Sequence, residues 1–278
     1  MKAIILNLSA WVMLPIMDGF AKYLSSTLPV LQITWSRYFF TIVITLPIML
    51  VFFRKNLTWT EKPKLQLIRG LLLFCANILF FYSISIISLA KALTLAFIAP
   101  LIVTALSPFL LGEKVGFRRW VAVVTGFIGS LIVIRPGFVE PNLASIAALG
   151  TGVLYGFYLI ITRKLHDSDN PLLTLLLTGI VGAVLGSIIM PTVWVSPTIT
   201  EWYMMFAIGF FASLGHLFII LSLRYADASK LAPFGYFEII TNIIIGYYFF
   251  NHFPDSWTFL GLFIIGAVWL EKVKNRKN

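Results

Sequence analysis

Long apolar runs alternate with short polar gaps along the whole chain. A helix needs about 20 residues to cross a hydrocarbon core of about 30 Å. Ten runs reach or approach that length: residues 3–24, 32–52, 66–87, 91–111, 119–135, 143–163, 172–192, 202–222, 230–250 and 256–272. The gaps leave no room for a soluble domain. The pattern predicts an all-α membrane protein of ten transmembrane helices, the fifth and tenth short. The first run follows Lys2 but exceeds the usual h-region of about 7–15 residues and lacks an A-x-A-like cleavage site, so it is expected to stay as helix one.

Composition excludes a water-soluble fold: 59% of the 278 residues are hydrophobic and 12% charged, against roughly 25% charged in soluble domains. The net charge of +10 raises nucleic acid as a partner. However, the basic residues sit in the gaps between runs, not along one face interleaved with aromatics, so no nucleic acid is expected. Their distribution orients the chain instead. With the N-terminus inside, cytoplasmic segments hold Lys2; Arg54, Lys55, Lys62, Lys64 and Arg69; Lys114, Arg118 and Arg119; Arg163 and Lys164; Arg224 and Lys230; and Lys272, Lys274, Arg276 and Lys277. Outer segments hold Lys91 and Arg135. Both termini are therefore predicted to be cytoplasmic, which removes meaning from the glycosylation-like triplet Asn56-Leu57-Thr58. Cytoplasmic termini without an organelle presequence suit a bacterial inner (plasma) membrane. The single cysteine, Cys75, excludes an intramolecular disulfide.

The stretch 86–135 echoes 225–272. Each opens on a polar turn (Ser88-Leu89-Ala90-Lys91-Ala92; Asp227-Ala228-Ser229-Lys230-Leu231), continues in a Pro-containing helix, and passes a tight turn (Leu111-Gly112-Glu113-Lys114; Phe250-Asn251-His252-Phe253). Asp18-Gly19-Phe20 has a fainter echo in Tyr155-Gly156-Phe157. A repeat unit of five helices is odd, so the second unit starts on the opposite side of the membrane and the halves are inverted. Secondary transporters recur with this design, their substrate site near the midplane where the halves meet. The expected division is 1–137 for helices one to five and 138–278 for helices six to ten.

Several stretches resemble the EamA-type repeat of the drug/metabolite transporter superfamily. They are Trp35-Ser36-Arg37-Tyr38, Arg69-Gly70-Leu71, Ala99-Pro100-Leu101, Leu111-Gly112-Glu113-Lys114, Arg119-Trp120, Gly126-Phe127-Ile128-Gly129 and Arg135-Pro136-Gly137. The resemblance spans essentially the whole chain and is strongest over 30–137. Asn251-His252 departs from it, standing where the second repeat often has Gly-Glu. It implies ten helices in a 5+5 inverted repeat, alternating access, and movement of small organic metabolites. The position of Arg37 within it favours a bracing role between the halves.

An ionisable group near the bilayer centre costs about 2.5–3.5 kcal/mol on insertion scales, so it is read as facing a bundle interior or cavity. Helix one places Trp11, Pro15, Asp18 and Lys22 on one face, with Asp18 and Lys22 spaced to pair. Two readings of that pair stand: a structural ion pair near the outer interface, or a substrate or gate element. Helix nine puts Gly235, Glu238 and Asn242 on one stripe near mid-span, where a carboxyl group could exchange a proton or accept a substrate ammonium. His216 is near the middle of helix eight with Ser213 on its face, and is either a satisfied core group or a proton relay. Asn77 and the neighbouring Tyr82 on helix three, with Tyr155 and Tyr158 on helix six, supply amide, hydroxyl and aromatic surface suited to a small amphiphilic or cationic ligand. Aromatic residues are 15% of the chain, so most of them belong to lipid-facing surfaces and belts. Pro100 can kink helix four, and Glu113, at the cytoplasmic turn beyond it, reads as a gate or topology element. In helix seven Gly179, Gly182, Ala183 and Gly186 follow small-xxx-small spacing, open to packing within the bundle or to a homodimer.

The leading class is a secondary transporter of a small polar or amphiphilic metabolite, amino-acid or amine-like, by alternating access, driven by protons or by substrate exchange. Export of lipid or a lipid-linked metabolite is the alternative. An enzyme is not expected: H-E-x-x-H and G-x-S-x-G are absent, and a Ser213/His216 dyad has nothing to activate it. No P-loop, cofactor motif or metal-ligand spacing occurs. Channel function would need charged rings.

Overall fold

A computed structural model describes residues 1–87, 89–134, 142–250, 256–257, 259–261 and 263–264. Among these the backbone forms helices and no strand. The main elements are α1 (Lys2–Leu24), α2 (Val30–Phe52), α3 (Pro63–Ile86), α4 (Leu89–Ala96), α5 (Ile98–Leu111), α6 (Phe117–Ile134), α7 (Leu143–Lys164), α8 (Pro171–Ile189), α9 (Ile199–Tyr225), α10 (Ala228–Leu231) and α11 (Phe237–Phe250). Seven helical stretches in the described residues, beginning at Lys2, Val30, Pro63, Lys91, Leu143, Pro171 and Ile199, are long and apolar enough to cross a membrane. Most of the expected tenth helix, 256–272, lies outside the described residues, as do Ser88, Arg135-Pro136-Gly137, Asn251-His252 and the C-terminal basic cluster.

Two runs expected to be continuous helices are broken. The fourth divides at Phe97 into α4 and α5. Pro100 has no N–H to offer the Ala96 carbonyl one turn earlier. Gly152 of α7 packs against that oxygen, and a Cβ there would approach it to 2.5 Å. The ninth run is also not one helix over 230–250: α10 passes into a 3-10 turn, Ala232–Tyr236, containing Pro233 and Gly235, before α11 begins. Glu238 therefore occupies the first turn of a helix, where the unpaired N–H groups and the macrodipole favour negative charge.

The elements pack mainly across the middle of the sequence, with α1 along α9, α3 along α7, α2 against α8 and α9, and α5 against α7. The α2/α8 contact explains the glycine stripe. A Cβ on Gly182 would lie 2.3 Å from the Tyr38 ring, one on Gly186 3.0 Å from Trp35, and one on Gly179 3.1 Å from Ile42. The stripe is used inside the bundle. Trp35 seals the contact by donating its indole N–H to Ser187 Oγ at 2.9 Å.

Candidate functional site

The apolar faces meet around a cavity of about 110 Å³. Among the candidates named from sequence, Trp11 and Asp18 of α1, Asn77 of α3, Tyr155 of α7, His216 of α9 and Glu238 of α11 all line it, as does Pro100. Tyr82, Tyr158 and Asn242 are not on its wall. Tyr82 is half-buried elsewhere on α3, and Asn242 turns its amide N–H back to the Glu238 carbonyl at 2.9 Å. Phe80, Phe97 and Leu159 give the cavity a largely apolar surface. Trp11 stands edge-on to Tyr155, ring centroids 6.4 Å apart, and donates its indole N–H to Asn7 Oδ1 at 2.8 Å. Asn7 in turn reaches Ser222 of α9 at 3.3 Å.

Asp18 and Glu238 are both buried and lie within electrostatic reach of one another, one from α1 and one from α11. Asp18 does not pair with Lys22. The lysine side chain instead donates to the carbonyls of Ile84 and, at 3.4 Å, Ile87, because the end of α3 offers unpaired acceptors with negative dipole character. Oδ1 of Asp18 is left without a hydrogen-bond partner among the described residues, while Arg37 lies within its electrostatic reach.

Behind the His216 wall runs a chain of buried polar groups. Arg37 contacts His216 Nε2 through Nη2 and sits over the Tyr38 ring at 4.8 Å. Tyr38 Oη accepts from Asn77 at 2.8 Å. His216 Nδ1 is 2.9 Å from Tyr158 Oη, which accepts from Arg69 Nη2 at 2.9 Å. Arg69 also donates to Thr162 Oγ1 at 2.8 Å, to the Thr174 carbonyl at 3.1 Å, and to Thr178 Oγ1. Arg69, assigned from the sequence to a cytoplasmic segment, is fully buried inside α3. Its spacing held the signal, because Arg69, Leu73 and Asn77 recur every fourth residue and share one helix face. Asn7 was missed as well, lying four residues before Trp11 on the same face.

Ser213 donates its hydroxyl to the Gly209 carbonyl at 2.6 Å and lies 3.1 Å from Thr41 Oγ1. With both nitrogens of His216 engaged by Arg37 and Tyr158, no Ser–His pair forms. Among the described residues no three His, Cys, Asp or Glu side chains gather as a metal site requires.

One end of the bundle is tied by charge. Gly112, at φ 67°, ends α5 in the left-handed conformation that glycine adopts without strain, and Glu113 follows it. Its carboxylate accepts from the Ala228 and Ser229 N–H groups at 2.8 and 3.0 Å and from Ser229 Oγ at 2.5 Å, with Arg163 at 3.5 Å. Arg119 and Arg163 hold Asp227 at 3.3 and 3.5 Å. At the other end Gln32 exchanges two bonds with the Val195 backbone at 2.7 and 2.9 Å, and Thr27 donates to Glu201 at 2.6 Å.

The profile of the EamA-like transporter family matches residues 1–135 and 142–270. The S-adenosylmethionine uptake transporter of Rickettsia bellii is 30% identical, covering 89% of this chain and 85% of that protein. The riboflavin transporter of Vibrio cholerae is 27% identical over 93% and 88% of the two chains. The pseudopaline exporter of Pseudomonas aeruginosa is 25% identical over 93% and 92%. A solved crystal structure superposes with a TM-score of 0.80 at 17% identity, over 99% of this chain and 98% of that one, a likeness of fold.

Proposed function

The chain belongs to the EamA-like transporter family, and on that premise we propose that it carries a small organic metabolite bearing a positive centre, amino-acid or amine-like, through the central cavity by alternating access. Membership and the apolar helices make it an integral membrane protein and a transporter of small molecules, not an enzyme. Its relatives are bacterial, consistent with the inner membrane. The observation that carries the finer reading is the pair of buried carboxylates, Asp18 and Glu238, facing one cavity between aromatic walls. Carboxylates at this depth call for a positive partner, and Trp11 and Tyr155 add cation–π surface. S-Adenosylmethionine, which certain relatives are named for, has this chemistry: a sulfonium, an ammonium and a planar ring system.

The proposed architecture is ten helices in two inverted repeats, 1–137 and 138–278, with both termini cytoplasmic. Two features support it. Exchanging the halves turns the α1/α9 contact into the α7/α3 contact and leaves α2/α8 unchanged, and both helix breaks fall at corresponding places, α4/α5 and α10/α11. In this reading Glu113 closes the cytoplasmic end and Lys22 the outer end, while Arg37 braces the halves.

The test is uptake into proteoliposomes, first of labelled S-adenosylmethionine and then of pooled amino acids, amines and nucleosides, with and without a pH gradient. The expected result is flux of one cationic or zwitterionic solute that Asp18→Asn or Glu238→Gln abolishes. Folded protein that moves none of them, under any gradient, would overturn the substrate class and leave lipid export as the reading to pursue.

A further inference from the structure

His216 touches the cavity with one edge and a network of donors with the other. Arg37 approaches from α2, Tyr158 and Tyr155 from α7, and Arg69 from α3 by way of Tyr158. Asp18 of α1 and Glu238 of α11 share its cavity. A guanidinium has donors only, so the nitrogen that meets Arg37 Nη2 must present its lone pair. That nitrogen is Nε2, and a neutral ring then carries its proton on Nδ1. Nδ1 has an acceptor in place, Tyr158 Oη at 2.9 Å, and a second lone pair of that oxygen is taken by Arg69 at 2.9 Å. The His216 ring proton therefore has one position that agrees with both neighbours, Nδ1.

We propose that Arg37 is a positioning residue that holds His216 as a single neutral tautomer, so that His216 forms a fixed part of the cavity wall and takes no part in proton exchange. A second proton, on Nε2, would point at a guanidinium N–H and add a third positive charge beside Arg37 and Arg69, against the like-charge rule. Proton exchange with the cavity then falls to Asp18 and Glu238 among its described lining residues.

Nitrogen NMR of the full chain in nanodiscs, with labelled histidine, reads this directly. His216 is identified by the signal lost in His216→Gln. The expected spectrum has one protonated and one bare ring nitrogen, the proton on Nδ1, unchanged from about pH 5.5 to 8, where an ordinary histidine titrates. A titration in that window, or a proton on Nε2, would overturn the proposal. Arg37→Met should release Nε2 and bring a titration into the window, whereas Arg37→Lys, which retains a donor, should suppress it. If Arg37→Met folds and the His216 signal is unchanged, Arg37 is not the group that holds it. Should Arg37→Met fail to fold, Arg37→Lys decides beside the wild-type spectrum: a titration in the window in that variant would overturn the role of Arg37. No transported solute is needed, so this outcome is independent of the substrate reading.

Discussion

Arg69 and Glu238 are both withdrawn from the surface, at 0% and 8% exposure, yet their surroundings treat them oppositely. Arg69 is enclosed by acceptors, bonding two threonine hydroxyls, a carbonyl and a tyrosine hydroxyl across α7 and α8. The Glu238 side chain makes no hydrogen bond with the described residues and looks into an open cavity. Depth alone therefore does not separate a structural charge from a functional one. A buried ion that the protein satisfies is part of the framework, whereas one facing space is held for something that arrives.

Five substitutions at four positions test that contrast. Arg69→Met should have the largest effect, about 3–5 kcal/mol of lost stability, because it strands several buried acceptors at once. A thermal melt of the purified protein measures this, and Arg69→Lys should recover only part, lacking the fork that reaches four partners. Next is Tyr158→Phe, which removes the oxygen shared by Arg69 and His216 and should cost about 2 kcal/mol in the same melt. Glu238→Gln should instead leave the melting curve within about 0.5 kcal/mol of wild type while lowering initial uptake at least about tenfold, equivalent to about 1.4 kcal/mol. A melt that falls as far as that of Arg69→Met would place Glu238 in the framework and erase the contrast. The smallest change belongs to Tyr155→Phe, whose hydroxyl is buried without a hydrogen-bond partner among the described residues; stability should stay within about 0.5 kcal/mol or rise slightly, in contrast with Tyr158→Phe three residues away.

These neighbouring tyrosines also mark how far the sequence could be read. Helical spacing put Tyr155 and Tyr158 on one side of a helix, but a residue's stripe is broad, and which tyrosine meets space depends on what α3 and α9 bring against it. Tyr155 reaches the cavity, whereas Tyr158 meets Arg69 and His216. Lys22 teaches the same lesson along the chain. Its spacing from Asp18 permits an ion pair, but the free carbonyls at the end of α3 compete for the ammonium and hold it. Arg69 was legible as a charge on the helix face it shares with Leu73 and Asn77, but its partners were not, because the threonines lie more than ninety residues later.

Apolar run length and the sidedness of basic residues are local quantities, set by the cost of leaving backbone and charge in hydrocarbon. From them the sequence by itself determined a bundle of membrane-crossing helices, and six of the side chains later found around its cavity. Where Pro100 and Pro233 open the helices, which carboxylate remains unpaired, and what the glycine stripe of α8 packs against were decided only by tertiary structure. Those outcomes depend on which acceptor or ring arrives from a distant part of the chain, and no local pattern encodes that competition.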